Sequence, residues 1–308
     1  MRIQNPAYDG PLTFVSPCWC GARNIAAGTA VAPAMFAYSD PRRPSASRSL
    51  AQRVAIILAV VIQIGAGFLP QFGIGQAIGE RSDAVRTLIT PVGWAFAIWG
   101  PLFVLSVLFA IWQALPKQKN NGLLAQVGWP AAIALAAQGV WSTYTQIDNL
   151  TFVSVAIIFV SLAALLYVAR SFASSPSLTP AERLFAAPAF TALGAWLTAA
   201  SVVNVAAMLK LYGVGGDAPT LGIAVAIIAI ATLIAVVAAA RLRGAPLYGL
   251  VFGYALYAIN MAEGQRFPVI GWACFAGIAA VVAVTVWQLS RRDNRHHWFG
   301  VQPRPTLV

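Results

Sequence analysis

The stretch TPVGWAFAIWGPLFVLSVLFAIWQAL at residues 90–115 runs for 26 residues without one charged side chain. A helical run of about 20 apolar residues crosses ~30 Å of hydrocarbon, and a helix that is apolar all round must be covered by protein or by lipid. Comparable runs recur at 54–74, 123–144, 151–169, 184–209, 220–240, 247–261 and 268–289. The chain therefore reads as all-α, a polytopic membrane helix bundle of about eight transmembrane helices, with short loops. The run at 247–261 is short, so seven crossings with one re-entrant segment is the other arrangement it allows. Composition agrees: 9% of residues are charged, against about a quarter in soluble domains, and the mean hydropathy is +0.73.

A net charge of +11 would suggest nucleic acid in a soluble protein. Here the basic residues fall between the apolar runs, the pattern that orients membrane proteins, so no nucleic-acid partner is expected and membrane lipid is. Sixteen of the 20 Lys and Arg lie in the two terminal segments and the loops near 117–119, 170–183 and 241–243, while Arg81, Arg86, Lys210 and Arg266 are the other four. That alternation holds with eight crossings and both termini cytoplasmic, in the cell (inner) membrane. Residues 1–50 read as a disordered basic leader without a cleavable signal, with Met35 as an internal start for translation. Cys18, Cys20 and Cys274 are too few and too scattered for a disulfide framework or a zinc site. The tail Arg291, Arg292, Arg295, His296, His297, Trp298 is expected against anionic headgroups, and its two histidines lack further ligands for a metal.

No Asp, Glu, Lys, Arg or His falls mid-span, where ion-coupled carriers place them. No nucleophile–base pair or metal-ligand spacing appears either, so no catalytic residue and no metal ligand is assigned and the chain is expected not to be an enzyme. Outer-loop Glu80 and Asp83 beside Arg81 and Arg86 read as a solvated loop, and Glu263 with Arg266 as an exposed ion pair. Most of the ten Trp residues suit the membrane interface, Trp112 and Trp287 at inner ends and Trp94, Trp141 and Trp272 at outer ends. Trp99, ~10 Å inside the second span at 1.5 Å per residue, and Trp196, near the middle of the fifth, need a partner for the indole N–H.

Uncharged polar residues form stripes: Gln138, Trp141, Ser142 and Thr145 in the third span, Thr198, Ser201 and Asn204 in the fifth, and Tyr254, Tyr257 and Asn260 in the seventh. Such residues serve as helix–helix glue in bilayers. Their coincidence at one depth points instead to a cavity in the outer half of the bundle, apolar and aromatic with a few orienting polar groups.

The run Thr90-Pro91 with Trp94, Phe96 and Trp99 resembles the second-helix signature of the tryptophan-rich sensory protein and translocator protein family (TspO/MBR). Gln138, Trp141 and Ser142 resemble its third-helix pattern, and Pro188 followed by Trp196, Thr198 and Asn204 resembles its fifth. The resemblance implies a five-helix core at 51–211, leaving 212–290 as an additional three-helix membrane unit and 291–308 as a basic cytoplasmic tail. It further implies binding of a tetrapyrrole or sterol-like molecule, with Trp94, Phe96, Trp99, Gln138, Trp141, Trp196, Ser201 and Asn204 as the ligand-binding set and no resident cofactor. A Val at position 92 replaces the second Pro of the signature and Ala97 the following Gly, Gln138 replaces an Asn, and Ile89 or a neighbour stands where the family has a loop Trp associated with porphyrin breakdown, so that activity is not carried over. The alternative is a permease or facilitator for a hydrophobic solute. A homodimer is compatible with the sequence, which carries no signal fixing oligomeric state.

Overall fold

A computed structural model describes residues 47–214 and 220–300. The leader readings, including Cys18, Cys20 and Met35, lie outside the described residues. Ten α-helices follow in order: α1 (Leu50–Gly67), α2 (Ile78–Ala84), α3 (Trp99–Ala114), α4 (Gly122–Ile147), α5 (Phe152–Ser174), α6 (Ala187–Leu211), α7 (Leu221–Arg241), α8 (Pro246–Ile259), α9 (Pro268–Ser290) and α10 (Arg292–Phe299). Short 3₁₀ and π segments join or extend several of them, and there is no strand among the described residues. Seven helices are long and apolar enough to cross a membrane, counting the 3₁₀ lead into α3 and the π lead into α6.

The eighth crossing is α8. It has 14 residues, ~21 Å of helix, and a π turn at Asn260–Gly264 extends it. At its start the Trp298 indole of α10 donates to the Arg243 carbonyl at 3.1 Å, and just past its end Glu263 meets Arg86, which follows α2. The ends of α4 show that α10 and α2 mark opposite ends of the bundle. Near the start of α4, Asn121 donates to Glu182, whose neighbour Arg183 donates to the His297 carbonyl at 2.8 Å; at its finish the Gln146 carbonyl accepts from Gln76, beside α2. Thus α8 traverses the bundle and is not re-entrant. Because Arg48 N–H donates to the Lys119 carbonyl, α1 begins at the same end at which α10 finishes, so the described residues run the length of the bundle an even number of times.

Helices α1, α4, α5, α6 and α3 pack in that cyclic order as a closed ring of five, and α8 lies against α6 with α9 and α7 beyond it. The tightest seam, α1 on α4, depends on glycine. A Cβ on Gly139 would stand 2.8 Å from Gln63 N, and one on Gly128 would stand 2.2 Å from the Gln52 side chain. Helix starts are capped by Ser49, Asn121 and Thr151, whose side chains each accept a backbone N–H of the first turn. Before α6, Thr179 and Glu182 exchange side-chain and backbone bonds as a capping box. Arg48, linked to Gln52 and Gln113, is pushed down to about 10 by burial and by neighbouring Arg53, so it stays charged at neutral pH.

Proline sets the two irregularities near the site. Pro101 has no N–H for the Ala97 carbonyl and its ring crowds it. Residues Gly93–Ile98 accordingly wind as a 3₁₀ helix, and α3 begins only at Trp99. Likewise Pro188 cannot bond Leu184, and the ladder slips into the π segment Glu182–Ala186. The first crossing also ends sooner than expected, at Gly67, with Leu69–Phe72 forming a 3₁₀ turn.

Three expectations are corrected. Trp112 is not a lipid-facing anchor; it is buried and stacks on Phe185 at 6.3 Å, because the π segment brings Phe185 against α3. Glu263 is buried and pairs with Arg86, whereas Arg266 lies over the Phe267 ring at 5.0 Å. Of the basic tail, Arg291, Arg292, Arg295 and His296 face outward, as do Asp293 and Phe299, while helical spacing turns Asn294, His297 and Trp298 into the bundle.

Candidate functional site

At the α2 end two cavities lie side by side. The larger, about 330 Å³, sits between the end of α1, α2, the start of α3 and the last turns of α4. Its α3 wall is aromatic, with Phe96, Trp99 and Phe103; its α4 wall is polar, with Gln138, Ser142 and Gln146 at successive four-residue steps on one face. The smaller, about 50 Å³, lies between α2, α4, α6 and α8 and is lined by Trp141, Trp196, Asn204, Ala255 and Ile259 among others. Ile78 and Phe96 line both and form the partition between them.

The 3₁₀ segment explains the aromatic arrangement. Residues three apart eclipse in a 3₁₀ helix, so Phe96 and Trp99 project to the same side and both meet Trp196 edge-on, at centroid distances of 6.4 and 6.1 Å. Trp99 also stacks on Phe103 at 5.6 Å, and Trp196 contacts Tyr254 at 6.3 Å. Trp196 is the hub of the cluster. It sits on α6, which is buried over most of its circumference because α3, α5, α7 and α8 all touch it.

Polar atoms at this end are under-satisfied to an unusual degree. The indole Nε1 of Trp99, Trp141 and Trp196, Gln138 Oε1, Ser201 Oγ and Asn204 Nδ2 are all buried without a hydrogen-bond partner among the described residues. An unpaired buried polar group costs ~1–3 kcal/mol, so six at one end of a bundle favour a guest, or water, that pairs with them. Asn204 is positioned through its other atom: Oδ1 lies 2.9 Å from Ser154 Oγ, whose single proton is shared between it and the Thr151 carbonyl at 2.7 Å. Thr198 is accounted for within the protein, bonded to Tyr248 at 2.9 Å and to the Gly194 carbonyl. Thr90 clips its own turn, accepting from Thr87 N at 2.9 Å.

Of the eight residues proposed from sequence, Phe96, Trp141, Trp196 and Asn204 meet at the smaller cavity and Phe96, Trp99 and Gln138 at the larger. Trp94 and Ser201 line neither: Trp94 is half-exposed against Tyr254 and Tyr257, and Ser201 is buried on α6. Sequence reasoning missed Gln146, although it continues the Gln138–Ser142 step. It also passed over Gln63, the only polar side chain between Val54 and Gly67, which is fully buried beside Gly139 with both amide atoms unpartnered. Ile78 and Ser82 of α2 gave no signal, because a short charged outer helix looks like a solvated loop. Over the cavities lies an ionic bridge, Arg86 to Asp83 at 2.8 Å and to Glu263 at 3.4 Å.

Compared with protein families, the chain matches the model of the TSPO-like protein family over residues 49–287. It belongs to the TSPO-like protein family. Searches of curated proteins and of solved structures gave no match. As a TSPO-like chain it is a multi-pass membrane protein, and the match takes in both the ring of five helices and α7, α8 and nearly all of α9. The lining of its smaller cavity by Ala255 and Ile259 therefore lies within the family-matched residues.

Proposed function

We propose that this TSPO-like protein is a non-enzymatic binding or sensory protein that holds a flat hydrophobic molecule, tetrapyrrole or sterol-like, in the larger cavity. One observation carries the reading. Trp99 and Gln138, whose buried Nε1 and Oε1 are an unpartnered donor and an unpartnered acceptor, both line the same 330 Å³ space, within the ~300–1,000 Å³ range of ligand pockets. The ring faces of Trp99 and Phe103 offer stacking area, and Ser142 and Gln146 border the opposite wall. The smaller cavity, at about 50 Å³, accepts only an arm of such a molecule; its unpartnered Trp141, Trp196 and Asn204 atoms are all N–H donors, suited to a carbonyl or carboxylate.

The excess of Lys and Arg at the α10 end supports an inner-membrane orientation with that end and both termini cytoplasmic, and the cavities toward the outside. Protoporphyrin titration followed by tryptophan fluorescence tests the binding role. Trp99→Phe combined with Gln138→Leu is expected to weaken affinity about tenfold or more, from the loss of two hydrogen bonds. Unchanged affinity would remove the site. In proteoliposomes the same molecule is expected to bind without net flux; turnover would favour a facilitator.

A further inference from the structure

The segment at residues 85–98 roofs both cavities, contributing Pro91 to one and Phe96 to both, and it is fastened mainly to α8. Val92 N–H donates to the Ala258 carbonyl at 3.2 Å, Tyr254 Oη donates to the Ala95 carbonyl at 3.1 Å, and Arg86 reaches Glu263 at 3.4 Å. The Trp94 ring packs edge-on to Tyr254 at 5.7 Å. All these partners lie within residues 254–263, so one face of one helix and its π turn holds the roof from end to end. The roof is also built to bend. A 3₁₀ run of six residues is longer than the three or four usual for that geometry, and such stretches mark hinges; Gly93 opens it, with nothing within 4 Å of where a side chain would begin.

We propose that residues 85–98 are a hinged cover over the ligand cavities and that α8 is its clasp, Tyr254 and Glu263 being positioning residues that set how readily the cover lifts. The ligand half of this inference rests on the binding role proposed above; the clasp itself does not. When the cover is down, Phe96 stands between the two cavities and Pro91 lies over the smaller one. Lifting it breaks one ion pair, two hydrogen bonds and the Phe96–Trp196 and Trp94–Tyr254 ring contacts but leaves the ring of five helices packed, because the α1–α4 and α4–α5 seams lie elsewhere.

The test is amide hydrogen exchange on the full-length protein without ligand, read at residues 85–98 and, as an internal reference, at α4 and α5. Glu263→Gln and Tyr254→Phe are each expected to speed exchange in the cover about tenfold, for loss of one charge-assisted or buried hydrogen bond, with α4 and α5 unchanged. The charge-swapped double variant Arg86→Glu with Glu263→Arg is expected to restore protection. Stopped-flow mixing with protoporphyrin should then show faster association and dissociation in the single variants, with less than about threefold change in Kd. Unchanged cover exchange in both single variants overturns the proposal. So does acceleration that extends equally to α4 and α5 and is not restored by the swap, since that is loss of fold. If protoporphyrin does not bind wild type at all, the ligand reading fails while the exchange result still decides the clasp.

Discussion

At the scale of single residues, the proposed binding role rests on atoms that the fold declines to pair. Trp196 shows how little of this depends on the residue alone: a mid-span tryptophan is costly only if its N–H finds no partner, and here Phe96, Trp99 of α3 and Tyr254 of α8 surround it with rings. Glycine makes the opposite contribution, by absence of a side chain. Gly75 takes φ = +73°, and a Cβ there would meet the Gln146 carbonyl oxygen at 2.4 Å, where Gln76 N–H also docks. Gly75→Ala is therefore expected to cost ~1–3 kcal/mol from left-handed strain and the clash, read as a lower unfolding temperature in detergent. Because Gln146 borders the larger cavity, the same variant is expected to weaken ligand binding. Gly73→Ala is the control: its φ of +75° is as strained, but nothing lies within 4 Å of the added Cβ, so only the smaller backbone part of the cost should appear.

Among the elements, α10 is the one whose attachment is conditional. It is eight residues long, and its hold on the bundle includes the buried His297 ring, the Arg183 bond to the His297 carbonyl, the Trp298–Arg243 bond and the Asn294–Gln288 bonds. Burial, reinforced by the nearby positive charges of Arg243, Arg183 and His296, pushes His297 from its ordinary 6.5 down to about 4. The folded state thus disfavours the protonated ring, and the detached state binds the proton first. The contribution of His297 to docking is complete above pH ~6.5 and is lost progressively as pH falls from about 6.5 toward about 4. Limited proteolysis or hydrogen exchange at 292–299 is expected to accelerate across that window. His297→Leu should flatten the pH dependence while keeping the helix docked, because an apolar side chain fills the same buried place without a group to protonate.

For the whole molecule, the even number of crossings gives a direct topological prediction. Reporters inserted near 118 and after 300 are expected to report one compartment, the cytoplasm, and a reporter near 213 the opposite side; agreement among all three positions would contradict eight crossings. The ring of five helices is closed, yet α6 is buried on the side that faces α8 as well as inside the ring. A chain ending at residue 214 would bare that face and delete the wall given by Ala255 and Ile259. It is expected to lose ligand binding and to run as aggregate on size exclusion, whereas a chain ending at 291, lacking α10, should stay monodisperse.

The sequence by itself determined the class and the alternation of basic loops, because uncharged length and the placement of Lys and Arg are set by lipid rather than by tertiary contacts; whether the short run at 247–261 traverses or re-enters was left open, and was decided by the contacts at the two ends of α8. It also marked Trp99, Trp196 and the Gln138 and Asn204 stripes, since a polar atom deep in a span needs a partner whatever the packing. Only the tertiary structure decided where those partners are missing, and that six of the eight candidates divide between two cavities while Trp94 and Ser201 line neither. The cause is local: Pro101 forces a 3₁₀ lead into α3, which changes the phase of Phe96 and Trp99 in a way α-helical periodicity could not reveal. Which cation meets Glu263 was equally beyond the sequence, because Arg266 is three residues away along the chain and Arg86, 177 residues away, is brought to it by the fold of α8 against the cover.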